Sequence, residues 1–532
     1  MADADYIIVG AGSAGCVLAN RLSADPRRRV LVLEAGGMDD WIWLHIPVGY
    51  LFAIGDPRAD WMFETEPSPG LGGRRIGYPR GKVIGGCSAI NGMIYMRGQA
   101  ADYDGWRQLG LPGWGWDDVL PLFLAQEDHI APPGPLHSQG GEWRVEPCRM
   151  RWTILDAFMQ AAAQAGIPTV EDFNGGDNFG CSYFQVNQKN GRRWSAARGF
   201  LRPVLHRPNL KLVTGAQVER VVVEDGRAVA VRWRKDGAVF EAAADGDIVL
   251  AAGAVATPQL LEVSGIGDGE RLAALGLEVK RHLPGVGENL QDHLQIRPYY
   301  RVTGAPTLNE RYAAVWRRPL MALEYALLRR GPMSMAPSHL GAFAYSSPEH
   351  ATPNVEFHVQ PLSLERFGEP LHDFPAMTVS VCNLRPTSRG AVHARSGDVA
   401  DAPAIRPNYL STSKDERVAV DSLRLARKIM AQPALQRYSP TEVKPGEGVQ
   451  GDEAMLDAAR VHSSTIFHPV GTAKMGAPGD ATAVVDARLK VFGIERLRIA
   501  DASVMPHIVS GNTNSPTMMI AEKAARMILE ER

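Results

Sequence analysis

A chain of 532 residues with a formal net charge of −2 has no electrostatic reason to gather on nucleic acid or on an anionic membrane, so a small-molecule partner is expected. With 45% hydrophobic and 22% charged residues it reads as globular rather than disordered, and its length exceeds what one core serves well, so two joined domains are expected. Five cysteines (Cys16, Cys87, Cys148, Cys181, Cys382), odd in number and without a C-x-x-C pair, argue against a disulfide framework and against a zinc or other metal site.

The chain reaches its first apolar run, Tyr6–Val9, without a basic leader or a long hydrophobic stretch, and no segment attains membrane-spanning length. The expectations are a cytoplasmic protein, monomer or homodimer, with no firm membrane association. Tyr6–Val9 is a predicted strand, 14–22 a helix and 30–33 a second strand, which together make a βαβ unit of a buried parallel sheet. Further apolar runs at 211–214, 218–223, 247–251 and 497–500 are read as strands of the same kind. Between about 300 and 450 the pattern changes: 354–360 and 377–381 alternate like antiparallel strands, and 414–431 reads as a helix. The helical pattern at 317–330, apolar with arginines at both ends, is read as a buried helix with snorkelling ends in preference to one that touches a membrane.

Gly10-Ala11-Gly12-Ser13-Ala14-Gly15 lies between the first strand and the first helix, the context that a dinucleotide fingerprint requires. The first glycine permits a tight turn, the second lets a pyrophosphate approach the backbone at the helix N-terminus, and the third lets the helix pack on the strand. Glu34, at the end of the second strand, is placed to accept hydrogen bonds from an adenosine ribose and would repel a 2′-phosphate, which disfavours NADP. NAD and FAD are not separated by this motif.

Four further segments carry that choice. They are 79–94, with Arg80, Gly81, Val83, Gly85, Gly86, Asn91, Gly92, Met93 and Ile94; 253–267, with Gly253, Thr257-Pro258 and Gly265; Phe467-His468-Pro469-Val470-Gly471-Thr472; and 501–517, with Asp501, Ala502, Asn514, Pro516 and Thr517. The Gly85-Gly86 pair is expected to leave backbone N–H groups open to a cofactor, and Thr257-Pro258 to begin a helix that Gly265 ends. In these segments and their order the chain resembles the glucose-methanol-choline (GMC) oxidoreductase family, in its choline-dehydrogenase-like or alcohol dehydrogenase branch.

The resemblance implies an α/β fold: a Rossmann-like FAD-binding domain plus an α+β substrate-binding domain with an antiparallel sheet. The first would take 1–155, with a lid at 38–74, then 205–300 and 456–532; the second would take 156–204 and 301–455. It also implies FAD contacts at Gly10, Gly12, Ser13, Ala14, Gly15, Glu34, Ala35, Trp61, Arg80, Gly81, Val83, Gly86, Asn91 to Ile94, Val218, Gly253, Phe467, Asp501, Ala502, Pro516 and Thr517. Ile90 stands where some relatives have a flavin-tethering histidine, so the FAD is expected to be non-covalent.

His468 matches the family base and Asn514 the second active-site group. The implied reaction is oxidation of a small uncharged primary alcohol to the aldehyde, the proton going to His468 and the hydride to flavin N5, with oxygen or a quinone-type acceptor taking the electrons. His339, where choline-oxidising relatives carry an acid, argues against choline, and His339 and His358 are candidates to line the cavity. Two other readings stay open: a lyase of the hydroxynitrile type with redox-silent FAD, and a photodecarboxylase using Cys382 near Arg385.

Overall fold

The computed structural model describes residues 3–365 and 369–531. Five strands form an all-parallel sheet in the spatial order Leu497–Ile499, Ile248–Leu250, Tyr6–Val9, Val30–Glu34, Leu210–Thr214. The chain therefore lays its first three strands outward in one direction and the last two in the other. The reversal falls between Tyr6–Val9 and Ile248–Leu250, and a crevice for a ligand forms at the carboxyl ends of strands at such a point. Gly10 follows the first of these strands and Ala251 the second. Gly10 has φ +100°, and an added Cβ there would meet the Ala251 carbonyl oxygen at 2.6 Å.

The expected strand at 218–223 is not part of this sheet. Gln217–Glu224 pairs antiparallel with Arg227–Lys235, which pairs with Ala238–Ala243 in a three-stranded meander. The turns explain it: Asp225-Gly226 and Asp236-Gly237 both take positive φ at each position, which suits two-residue hairpins whose twist matches the strands. The burial along Gln217–Glu224 also alternates, as a one-sided sheet requires.

A second, eight-stranded sheet contains the antiparallel run Thr441–Lys444, Tyr299–Arg301, Ala376–Asn383, Val355–Gln360, Leu340–Ala344, Gly180–Tyr183. Leu294–Ile296 and Ser463–Thr465, in stretches assigned from the sequence to the first domain, join it too. Its alternation sorts two faces. Val355, Phe357, Val359, Met377, Val379 and Val381 share one core with side chains of the helices Thr153–Gln164 and Ser413–Met430. On the opposite face Glu356, His358, Gln360, Thr378, Ser380 and Cys382 carry polar groups, and they are buried as well, so these alternating strands are covered on both sides.

Two further expectations change. The helix expected to begin at Thr257-Pro258 begins at Gly253 and runs to Val263, with Pro258 inside it. Proline has no N–H for the carbonyl four residues back, which is that of Ala254. The Thr472 hydroxyl donates to that carbonyl at 2.7 Å instead, so a distant loop restores the missing bond. Gly265 follows the helix end with φ +82°, as expected. The helix expected to be buried at 317–330, Arg317–Leu328, lies on the surface, and Tyr325 is its one buried residue. Among the described residues no helix is long and apolar enough to cross a membrane.

Gly15 is the tightest point of the βαβ unit, since a Cβ would lie 1.8 Å from the Gly10 carbonyl oxygen. Gly15→Ala is therefore expected to destabilise the protein by about 3 kcal/mol or more, measured as a lower denaturant midpoint. An unchanged midpoint would count against this packing.

Candidate active site

A cavity of about 460 Å³ opens at the switch between the two halves of the parallel sheet and extends to the polar face of the second sheet. Most of the cofactor residues expected from the sequence line it: Gly10, Gly12, Ser13, Ala14, Glu34, Ala35, Trp61, Arg80, Gly81, Gly86, Asn91, Gly92, Met93, Ile94, Val218, Gly253, Phe467, Asp501, Ala502 and Thr517. Three do not reach it. Gly15 lies beneath Gly10, Val83 is buried in a small cluster with Leu44 and Ala59, and Pro516 is buried in the first turn of the C-terminal helix Asn514–Glu530. Tyr50, Ile54, Trp61 and Phe63 bring the expected lid segment into the wall.

At one end two helices, Ser13–Leu22 and Asn514–Glu530, begin at the cavity. Ser13 Oγ donates to Asn514 Oδ1 at 2.7 Å and so ties the two N-termini together. Helix N-termini carry unsatisfied N–H groups and partial positive charge, so this junction suits an anion. Gly12 leaves it open: an added Cβ would find nothing nearer than 3.9 Å. Gly85-Gly86 does not contribute free N–H groups, contrary to expectation. Gly85 N–H donates to Ala11 and Gly86 N–H to Val83. The pair is glycine because a Cβ on Gly86 would meet Gly12 Cα at 2.7 Å, so the two glycine loops pack directly together.

Glu34 accepts the N–H groups of Ala11 and Gly36, each at 2.8 Å, and so pins the first turn while facing the cavity. Burial pushes its carboxyl up to about 7, against the pull of those two N–H groups and of Lys82. Asp501 is engaged in the same way: it accepts from Gly253 N–H, the Thr257 hydroxyl and Ser503 N–H. These two are the carboxylates among the residues lining the cavity.

The far end is built around His468. Its Nδ1 lies 3.0 Å from His293 Nδ1, and His293 Nε2 lies 3.2 Å from the Leu384 carbonyl oxygen. A carbonyl only accepts, so His293 carries its proton on Nε2, and burial, which lowers its pKa to about 4, keeps it neutral. His293 Nδ1 is then an acceptor and His468 Nδ1 the donor. The lone pair of neutral His468 is thereby left on Nε2, where Asn512 Nδ2 donates at 3.1 Å. Burial above all, then His293, His358 and Arg80, hold the His468 pKa well below the ordinary imidazole value, so the ring is neutral near pH 7.

The backbone carrying this ring is strained. Phe467 has φ +71°, a left-handed conformation that a bulky aromatic rarely adopts. Thr465 Oγ1 accepts its N–H at 2.7 Å, and Arg80 donates to its carbonyl at 2.7 Å. Asp292 holds the assembly: its buried carboxylate accepts the His468 N–H at 2.8 Å and the hydroxyls of Thr465, Tyr78 and Tyr409.

Asn514 was expected to be the partner of His468, but the structure corrects this. Asn512 stands beside the His468 ring, and Asn514, two residues on, faces Ser13 at the helix junction. Asp292, His293 and Asn512 were not singled out from the sequence as site residues, because what marks them is burial and long-range partnership: Asp292 with the His468 backbone, His293 and Asn512 with the His468 ring. Of the two candidate histidines, His358 lines the cavity beside Gln295, Ser338 and Gln360. His339 is buried but does not reach it, so the argument about choline drawn from His339 has no footing in the geometry. His358 pairs at 3.2 Å with Glu356, and Cys382 lies against both. Arg385 is bound elsewhere, to Asp102 and Gln99, so Cys382 and Arg385 form no shared site.

Comparison with known proteins points one way. Family models described as GMC oxidoreductase match residues 4–295 and 386–521. An alcohol dehydrogenase [acceptor] of Pseudomonas putida is 39% identical over 530 residues, covering 99% of this chain and 96% of that protein. A mitochondrial choline dehydrogenase of Mus musculus is 40% identical over 531 residues, covering 98% and 89%. The crystal structure of pyridoxine 4-oxidase from Mesorbium loti superposes with a TM-score of 0.89 at 31% identity, over 98% of this chain and 99% of that one.

Removing the Asp292 carboxylate leaves three hydroxyls and a backbone N–H without their acceptor. Asp292→Ala is expected to cost about 3–5 kcal/mol of stability, read as a lower chemical denaturation midpoint; a loss below about 1 kcal/mol would show that the carboxylate does not hold the loop.

Proposed function

The chain belongs to the GMC oxidoreductase family as an FAD-dependent enzyme acting on CH–OH groups, and from that premise we propose that it oxidises a small uncharged primary alcohol to the aldehyde with His468 as the proton acceptor. The observation that carries this reading is the unprotonated Nε2 of His468 in the cavity wall, with His293 aligning the ring from behind and Asn512 hydrogen-bonded to that nitrogen.

The residues present suit FAD. The open Gly12 turn and the paired helix N-termini would hold a pyrophosphate, Glu34 would accept from the ribose, and Asn91 to Ile94 with Ala502 would run beside the ring. Ile90, which is buried and carries no nucleophile, fits non-covalent binding. Bound FAD supplies the hydride acceptor.

In that setting His468 Nε2 takes the proton of the substrate hydroxyl, and Asn512 holds the oxygen in line by hydrogen bonding. His293 acts as a positioning residue, receiving the His468 Nδ1 hydrogen and so keeping the reactive nitrogen unprotonated. At this end of the cavity Gln295, Ser338 and Gln360 present neutral hydrogen-bonding groups, with His358, Ile466 and Pro337 beside them, which favours an uncharged alcohol over a cationic one.

His468→Ala should stay yellow yet lose turnover by about 10²–10⁴-fold, assayed with an alcohol panel, oxygen and an artificial acceptor; bleaching of the wild-type flavin by alcohol without oxygen is the companion measurement. A wild-type flavin that stays oxidised with every alcohol would overturn the reading. Asn512→Ala should lower kcat with FAD retained, whereas Asn514→Ala should release FAD more readily and spare the chemistry; the reverse pattern would return the role to Asn514. Because the His468 pKa is depressed, the neutral base persists as pH falls from 7, and the acidic limb of kcat/KM should lie below 6.5. A limb above that value would contradict the neutral, buried ring.

A further inference from the structure

The surface helix Arg317–Leu328 is built as if for a second, apolar medium. It is anchored through Tyr325, whose ring is buried and whose hydroxyl donates to the Gly191 carbonyl at 3.0 Å. Around that anchor Leu320, Leu323, Leu327 and Leu328 are exposed, Leu327 by 71%, and just before the helix Val315 and Trp316 are exposed by 65% and 66%. Large aliphatic side chains clustered on one exposed helix mark an interaction surface rather than ordinary surface chemistry.

The patch also has a charge. Residues 311–330 carry five arginines, Arg311, Arg317, Arg318, Arg329 and Arg330, against one acid, Glu324, in a chain whose net charge is −2. The arginines flank the leucines at both helix ends, and Arg317 and Arg318 lie over the rings of Trp316 and Tyr312. Leucines between cationic ends, with aromatic rings at the margin, match the layering of hydrocarbon, interface and headgroup in a bilayer. A second copy of the chain fits poorly, because an isologous contact would set the same cationic rim against itself.

The surface leads toward the active-site lid. The helix packs on the turn Pro332–Ser334, which packs on Pro47–Gly49. From there Phe52, 46% exposed, and Ile42 extend the apolar exposure, while Tyr50 and Ile54 on the same segment line the cavity. We propose that this face docks the protein on a lipid bilayer bearing anionic headgroups, with the leucines entering the interface and the arginines engaging lipid phosphates.

The test uses the full-length, FAD-loaded protein in vesicle flotation, comparing phosphatidylcholine vesicles with vesicles that also contain phosphatidylglycerol. The expected result is at least ~10-fold stronger binding to the anionic vesicles, weakened by salt, and its loss in the double variant Leu323→Glu, Leu327→Glu without change in turnover of a water-soluble alcohol. Absence of binding, equal binding to both vesicle types, or a double variant that floats like the wild type would each overturn the proposal. So would light scattering that shows a dimer split by the same double variant in a protein that does not float.

Discussion

The buried carboxylate of Asp292 is the point on which the two halves of the molecule agree. A carboxylate removed from water is costly unless its lone pairs are filled, and here the four donors, Tyr78, Tyr409, Thr465 and the backbone of His468, come from three segments far apart in the chain. Filling that one acceptor forces those segments together. Its consequence is local as well as global: the His468 backbone is held while the preceding Phe467 remains in a left-handed conformation, so the imidazole is placed by a network rather than by its own loop.

The other end of the cavity depends on how closely backbones can approach. Gly10 packs on Ala251, Gly86 on Gly12 and Gly15 under Gly10, each at a distance that a side chain would forbid. This packing brings the N-termini of Ser13–Leu22 and Asn514–Glu530 to a single point, joined by the Ser13 hydroxyl and the Asn514 amide. Two helix dipoles that converge on one opening make a stronger anion site than either alone. Pro258 and Thr472 show the same economy, since the carbonyl that proline leaves without a donor becomes the docking point of the loop that follows His468.

Between these ends, the antiparallel sheet divides its labour by alternation. Its apolar face forms a core with two helices, and its polar face supplies Gln295, His358 and Gln360 to the cavity wall. A wall built on strands holds its hydrogen-bonding groups with less freedom than loops would, which suits a site that orients a small molecule. The surface helix Arg317–Leu328 stands apart from this order, because its leucines are left largely exposed.

Much of this was legible in the sequence because it is decided by short-range constraints. The glycine turn after Tyr6–Val9, the βαβ unit and the antiparallel strands at 354–360 and 377–381 follow from φ restrictions and side-chain periodicity, which act within a few residues. The motifs containing Arg80, Gly253, His468 and Asp501 likewise lie along the cavity wall. What the sequence left open was which side chain meets which across long separations. Asn512 and Asn514 are the same residue type two positions apart at the start of one helix, and only the packing of that helix against Ser13 turns one toward the glycine turn and leaves the other beside His468. His293, Asp292 and the surface position of Arg317–Leu328 were hidden for the same reason: burial and partnership are properties of the assembled tertiary structure, set by which surfaces meet, and no local rule of the chain encodes them.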